Sequence, residues 1–149
     1  MKKIEALNVI AYSQRLKLSE LQMLVGVVPQ DIVNVAIENG FAITGCQIWA
    51  YDGCDGKPDT TFDLKICLPV DTAGRGLDHP RYFLDTLPEA QVEEAIYQGD
   101  WSMIGQTYCS LFSKMVNQGQ IPNGRTREIY QQVDFEHPEN NITEVQVEF

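Results

Sequence analysis

Ser19–Asp52, SELQMLVGVVPQDIVNVAIENGFAITGCQIWAYD, is written a second time at Gln98–Gln131 as QGDWSMIGQTYCSLFSKMVNQGQIPNGRTREIYQ. At the shift of 79 positions Gly26 falls on Gly105, Gly40 on Gly119, Gly45 on Gly124 and Tyr51 on Tyr130. The apolar run Ile32, Val33, Ala36, Ile37 falls on Leu111, Phe112, Met115, Val116. Two copies are too few to stack as a solenoid. The duplication therefore predicts one fold with a pseudo-two-fold axis, and a groove between the copies of the kind in which small ligands bind.

The elements outward from the repeat are legible in outline. Ile4 to Leu18 reads as one strand with an irregular middle. Pro29 suits the first turn of a helix whose buried stripe is Ile32, Val33, Ala36 and Ile37, ending at Asn39-Gly40. Phe41 to Tyr51 is extended, and Asp52 to Thr60 is a loop of turn formers. In Thr61–Val70 the residues Phe62, Leu64, Ile66 and Leu68 share one face, and Asp63, Lys65 and Cys67 the other. Asp71–Pro80 links the copies.

The second copy runs in the same order: a strand from Tyr82 to Tyr97 broken at Pro88, then the turn Gly99-Asp100-Trp101, with Asp100 or Ser102 as N-cap. A helix follows on the stripe Met103, Ile104, Tyr108, Leu111, Phe112, Met115 and Val116, and then strands at Thr126–Val133 and Ile142–Phe149. The expected fold is α+β within one domain, residues 1–149, with repeats at about 1–71 and 81–149. Two strand–helix–strand–strand repeats form one antiparallel sheet with both helices on one side.

Composition narrows the function. With 44% hydrophobic and 21% charged residues the chain is globular. No run approaches the roughly 18 apolar residues of a membrane span, and Glu5 and Asn8 interrupt any signal-peptide core, so a cytoplasmic protein is expected. The net charge of −10 argues against direct nucleic-acid binding, because phosphate contacts need clustered Lys and Arg. Cys46, Cys54, Cys67 and Cys109 form no CxxC pair, and His79 and His137 sit in loops, so no metal site is expected. The cysteines read as reduced thiols, with Cys67 and Cys109 as small core residues.

Gly99-Asp100-Trp101 before a helix, Gly119 at its end, Arg127-Glu128-Ile129-Tyr130, and Ile142-Thr143-Glu144-Val145 resemble the G-x-[aromatic] turn, the R-E-x-Y strand and the T-E-[aliphatic] strand of one family. This is the GyrI-like small-molecule-binding domain, the effector-binding domain of AraC- and MerR-type bacterial regulators. The resemblance covers essentially the whole chain. Leu18-Ser19-Glu20 departs from it at the entry turn of the first copy, and Val147-Glu148-Phe149 lacks a proline often found there. It implies a ligand groove along the pseudo-axis. No helix-turn-helix precedes the repeat, so a stand-alone binder is expected, with no cofactor.

The resemblance places Glu144 on a strand facing the groove, where a carboxylate among rings would attract a lipophilic cation by charge and by cation–π attraction. Tyr130, Trp101, Tyr51, Trp49 and Tyr108 are the candidate rings, each with core packing as its alternative. Asp63 is a candidate second carboxylate, with a surface residue as the preferred reading. Alternation puts Glu128 and Tyr130 on one side of their strand and Arg127 and Ile129 on the other; Arg127-Glu128 also reads as a charge pair on the solvent face. Nothing in the pattern tells which face meets the helices.

Three functions remain open. The first is binding of small hydrophobic, preferably cationic, molecules by a sensing or sequestering protein. The second is hydrolysis of electrophilic small molecules, with Glu144 activating water and Tyr130 bonding the developing charge. The third is a protein-interaction module of the gyrase-inhibitor kind, for which the negative charge is suitable.

Overall fold

A computed structural model describes residues 1–149. The strands are β1 (Lys2–Ile4), β2 (Leu7–Lys17), β3 (Ala42–Ile43), β4 (Ile48–Asp52), β5 (Thr61–Asp71), β6 (Phe83–Leu87), β7 (Ala90–Gln98), β8 (Arg125–Gln132) and β9 (Ile142–Glu148). The helices are α1 (Leu21–Val25), α2 (Val28–Glu38) and α3 (Ile104–Asn117), with short 3₁₀ turns at Leu18–Glu20, Trp101–Met103 and Pro138–Asn140. The architecture is α+β, with one curled antiparallel sheet in the order β1-β7-β9-β8-β4-β5-β2-β6 and β3 beside β5.

The duplication is plain in this order. The central pair is β4 and β8, with Trp49 opposite Glu128. Those two residues are also mates at the shift of 79, so the pseudo-axis passes between them. Both copies end their main helix in the same way. Phe41 N–H bonds to Ala36 O at 2.9 Å, and its mate Gln120 N–H bonds to Met115 O, also at 2.9 Å. Gly40 and Gly119 take positive φ of 77° and 71° to allow this closure.

The irregular middle expected in the first opening strand, and the break or bulge expected at Pro88 in the second, are both full breaks, so each copy opens with two strands. The first breaks at Glu5-Ala6 and the second at Pro88-Glu89, where proline offers no ladder donor. The pieces then part company. β1 pairs with β7 of the other copy, and β6 pairs with β2. Only two residues join β6 at one end of the sheet to β7 near the other, a link of roughly 10 Å, so the sheet must curl. The repeat is thus strand–strand–helix–strand–strand, with first strands exchanged.

Both main helices lie on one face. Ile32 and Ala36 of α2 pack in a cluster with Ile10, Phe62, Leu64, Ile66 and Leu68, the face that alternation assigns in β5. Leu111 and Met115 of α3 pack on Val145 and Val147. The register Val145–Glu128–Trp49–Ile66 puts all these side chains on one side of the sheet. The buried stripes are narrower than expected. Val35 is buried, while Ile37 is 64% and Val116 71% exposed, and Met103 and Phe112 are exposed as well. Cys67 is buried in a small cluster on the opposite face with Val9, Ala11, Ile48 and Leu87. Cys109 is exposed rather than core, because it lies about 200° round the helix from Leu111.

No single helix is long and apolar enough to cross a membrane. The bent pair Leu18–Val25 and Val28–Glu38 passes by length and composition, yet α2 buries Val28, Ile32, Val35 and Ala36 within the protein.

Candidate functional site

Helix α2 rests on β2 and β5, and α3 on β7 and β9, which leaves the inner face of β4 and β8 between them. From β4 come Trp49 and Tyr51, and from β8 Glu128 and Tyr130, because in each strand residues two apart share a face. Tyr108 reaches the same place from α3. Its hydroxyl donates to Glu128 Oε2 at 2.5 Å, while the Tyr130 hydroxyl donates to Glu128 Oε1 at 2.9 Å. Trp101, in the turn before α3, packs edge-on against Tyr130 at 5.5 Å, and Trp49 does so at 5.8 Å. Tyr51 leans on Phe62 at 5.7 Å. The structure therefore brings all five expected rings into one group.

The carboxylate at the centre of that group is Glu128. It is 9% exposed. Burial raises its pKa above the usual carboxylate range, and the two tyrosine hydroxyls offset part of this. No lysine or arginine pairs with it. Tyr51, Tyr108 and Tyr130 are all held well above the usual phenol range, by burial first; the charge of Glu128 adds to this for Tyr51 and Tyr108, and that of Tyr51 then Glu128 for Tyr130. The phenols are consequently neutral donors across the ordinary pH range.

Glu144 stands elsewhere. In β9 the inner positions are Thr143, Val145 and Val147, so Glu144 falls on the other face, opposite Ile129 and Ile96. There it accepts from Gln131 and Gln146 and lies 3.7 Å from Lys2 Nζ. Interaction with neighbouring Glu94, and then burial, raise the pKa of Glu144, while that of Glu94 is lowered. Asp63 is on this second face too, paired with Arg15 at 3.3 Å near the surface. Glu144, expected in the groove, is thus not in it, and Asp63 is a surface residue, as its preferred reading has it.

Arg127 and Glu128 are not a solvent-face pair. They point to opposite faces, and both are buried. Arg127 bonds to Glu148 Oε2 at 3.2 Å and to the carbonyl of Pro88 at 2.7 Å, fixing the β6–β7 corner. The signal for Glu128 was in the repeat itself: the shift of 79 lays it on Trp49. Its meaning depends on the β4–β8 register, which no local pattern encodes.

Each end of the groove floor is bounded by an acidic hairpin loop. After β4 the loop carries Asp55 and Asp59, and after β8 it carries Asp134, Glu136 and Glu139. Because β4 and β8 are antiparallel, these loops lie at opposite ends.

No family model and no curated protein sequence matches this chain. Solved structures do, and the fold they define is the GyrI-like one. EcmrR in its DNA complex, solved by cryo-electron microscopy, has a TM-score of 0.81 at 19% identity over 99% of this chain. This chain spans 56% of that one. The EcmrR C-terminal domain alone gives 0.76 at 20% identity, covering 99% of this chain and 93% of the other. SAV2435 bound to tetraphenylphosphonium gives 0.60 at 14%, covering 99% and 90%. A hydrolase encoded by lin2189 from Listeria innocua gives 0.67 at 13%, again covering 99% and 90%. At such identities the likeness is one of fold.

Proposed function

We propose that this protein binds lipophilic aromatic cations in the groove between its repeats. Glu128 is the charge partner, and Trp49, Tyr51, Tyr108, Tyr130 and Trp101 are the walls. The observation that carries the reading is a buried carboxylate whose only partners are neutral hydroxyls. An ionised carboxylate in such a place is costly unless a cation joins it. Ring faces add cation–π attraction, which grows as the site is desolvated. The tetraphenylphosphonium bound to SAV2435, a protein of the same fold, supports a ligand of this class. The overall charge of −10 favours the approach of cations and disfavours contact with nucleic acid. The role is that of a sensor or sequestering protein.

The test is calorimetric titration with tetraphenylphosphonium and with tetraphenylborate, which matches its shape and carries the opposite charge. Wild type should prefer the cation by at least about tenfold, or roughly 1.4 kcal/mol, and Glu128→Gln should lose that preference. A preference kept in the variant would remove Glu128 from the role.

A second reading, hydrolysis of electrophilic small molecules, is favoured by the likeness to the Listeria hydrolase and by a carboxyl with a raised pKa beside phenol donors. It requires turnover that Glu128→Gln abolishes, measured against a panel of epoxides and activated esters.

A further inference from the structure

The rings around Glu128 continue outward to solvent. Phe135, on the β8–β9 hairpin, is 69% exposed, and its ring meets Trp101 edge-on at 6.2 Å. Trp101 meets Tyr130 at 5.5 Å, and Tyr130 meets Trp49 at 5.8 Å. Four aromatic rings thus run in unbroken edge-to-face contact from the surface to the residue opposite Glu128. At the far end of the groove nothing comparable reaches the surface, since Tyr51 and Phe62 are both buried. The repeat mates of Trp101 and Tyr108 there are Gln22 and Pro29.

Trp101 is the narrow point of this series. Its side chain makes one hydrogen bond, from Nε1 to Thr143 Oγ1 at 3.0 Å. Its backbone is far better fixed. Asp100 caps the turn by accepting from Ser102 N–H at 2.8 Å, and Gly99 N–H bonds to Asn141 O at 2.9 Å. A firmly held turn that carries a lightly held indole is suited to a side-chain swing. The residues after Trp101 already border an open apolar cleft of about 470 Å³, lined by Ser102, Met103, Gly105, Gln106 and Cys109. A larger cleft of about 550 Å³ lies on another side of α3, against Glu94–Tyr97, and none of the rings lines it. Glu128 itself is enclosed by its own tyrosines, so a ligand needs a ring to move.

We propose that Trp101 is the gate to the Glu128 site, and that aromatic cations enter between the α3 turn and the β8–β9 hairpin, landing first on Phe135. The proposal rests on the reading of the groove as a cation site. Asp100, Asp134, Glu136 and Glu139 border this entrance and raise the local concentration of cations. Each ring in turn offers a face that partly replaces lost hydration. The indole then swings out, and the cation displaces a tyrosine hydroxyl from Glu128.

Stopped-flow mixing of the whole protein with tetraphenylphosphonium, followed by tryptophan fluorescence, tests this. Thr143→Val removes the hydrogen bond that holds Trp101 and keeps the side-chain shape. Association and dissociation rate constants should both rise, about 3–10-fold, the worth of one hydrogen bond, with Kd held within about twofold. Phe135→Ala changes an exposed side chain and spares the fold. Both rate constants should fall together by a similar factor. Rates that stay at wild-type values in both variants, while Glu128→Gln still weakens the cation, would overturn the gate and leave the site standing. A Phe135→Ala effect confined to dissociation would make Phe135 a wall of the site and also overturn the route. Absence of any cation binding to wild type would overturn the site and the gate together.

Discussion

Trp49 and Glu128 face each other across the β4–β8 pair and are the same position of two repeats, one an indole and the other a carboxylate. A symmetric pair at the axis would put two carboxylates or two indoles in contact. The substitution of one by the other leaves a single carboxyl group at the axis with a ring beside it. The asymmetry extends to the helices, where Tyr108 of α3 reaches Glu128 and its mate is Pro29 of α2.

The raised pKa of Glu128 makes stability depend on pH in a definite direction. The folded chain keeps this proton at pH values where the unfolded chain has released it, so the group's contribution is full below the ordinary carboxylate range. It is lost as pH rises through the raised value. Glu128→Gln keeps a neutral side chain at every pH. In urea titrations the variant should match wild type near pH 4 and exceed it above neutrality, on the order of 1 kcal/mol per unit of pKa elevation. A difference of the opposite sign would show that the carboxylate is not buried as described.

Tyr108→Phe should act in the reverse sense. It removes a donor from a buried carboxylate, at a cost of about 1–3 kcal/mol when Glu128 is ionised. The loss should shrink as pH falls and Glu128 takes up its proton. Melting temperatures of the variant and wild type at pH 5 and pH 8 give the comparison.

Glu144→Gln should leave tetraphenylphosphonium affinity within about twofold of wild type, because the side chain lies across the sheet from the rings. Its effect should instead be felt at β1, where Lys2 lies beside Glu94 and Glu144. Amide exchange at Lys2–Ile4 would quicken. A large loss of cation affinity would restore Glu144 to the site.

The four thiols should separate by reactivity. Cys46 and Cys109 are exposed, Cys54 is partly buried with its pKa raised, and Cys67 is buried with its pKa pushed up to about 12. A disulfide reagent at pH 8 should modify Cys46 and Cys109 first, Cys54 later, and Cys67 only on unfolding. Mass spectrometry of digests reads the order.

Much of this fold is legible in the sequence because it is local. Gly40 and Gly119 mark helix ends through a backbone geometry that other residues adopt poorly, and they do so twice at one spacing. Phe62 to Leu68 alternate as a half-buried strand must. Which rings gather between the helices was legible, and which acid joins them was not. Glu128 and Glu144 lie in neighbouring strands with similar flanks, and a one-residue difference in phase decides which one faces the helices. That phase is set by packing across the whole sheet. The exchange of β1 and β6 was hidden for the same reason, since a strand's partner in the other repeat leaves no mark on its own residues.

That exchange has a consequence for how the chain acquires its shape. β1 is made early, yet its partner β7 begins at Ala90, and β2 gains its outer neighbour β6 only at Phe83. Contacts this distant in sequence slow folding, because loop closure must precede the pairing that rewards it. During synthesis the first copy therefore waits with an open margin on β2 and a loose leading segment, both exposed to mispairing. Once closed, neither copy can leave without tearing a strand from the other, and the two halves should melt as a single unit.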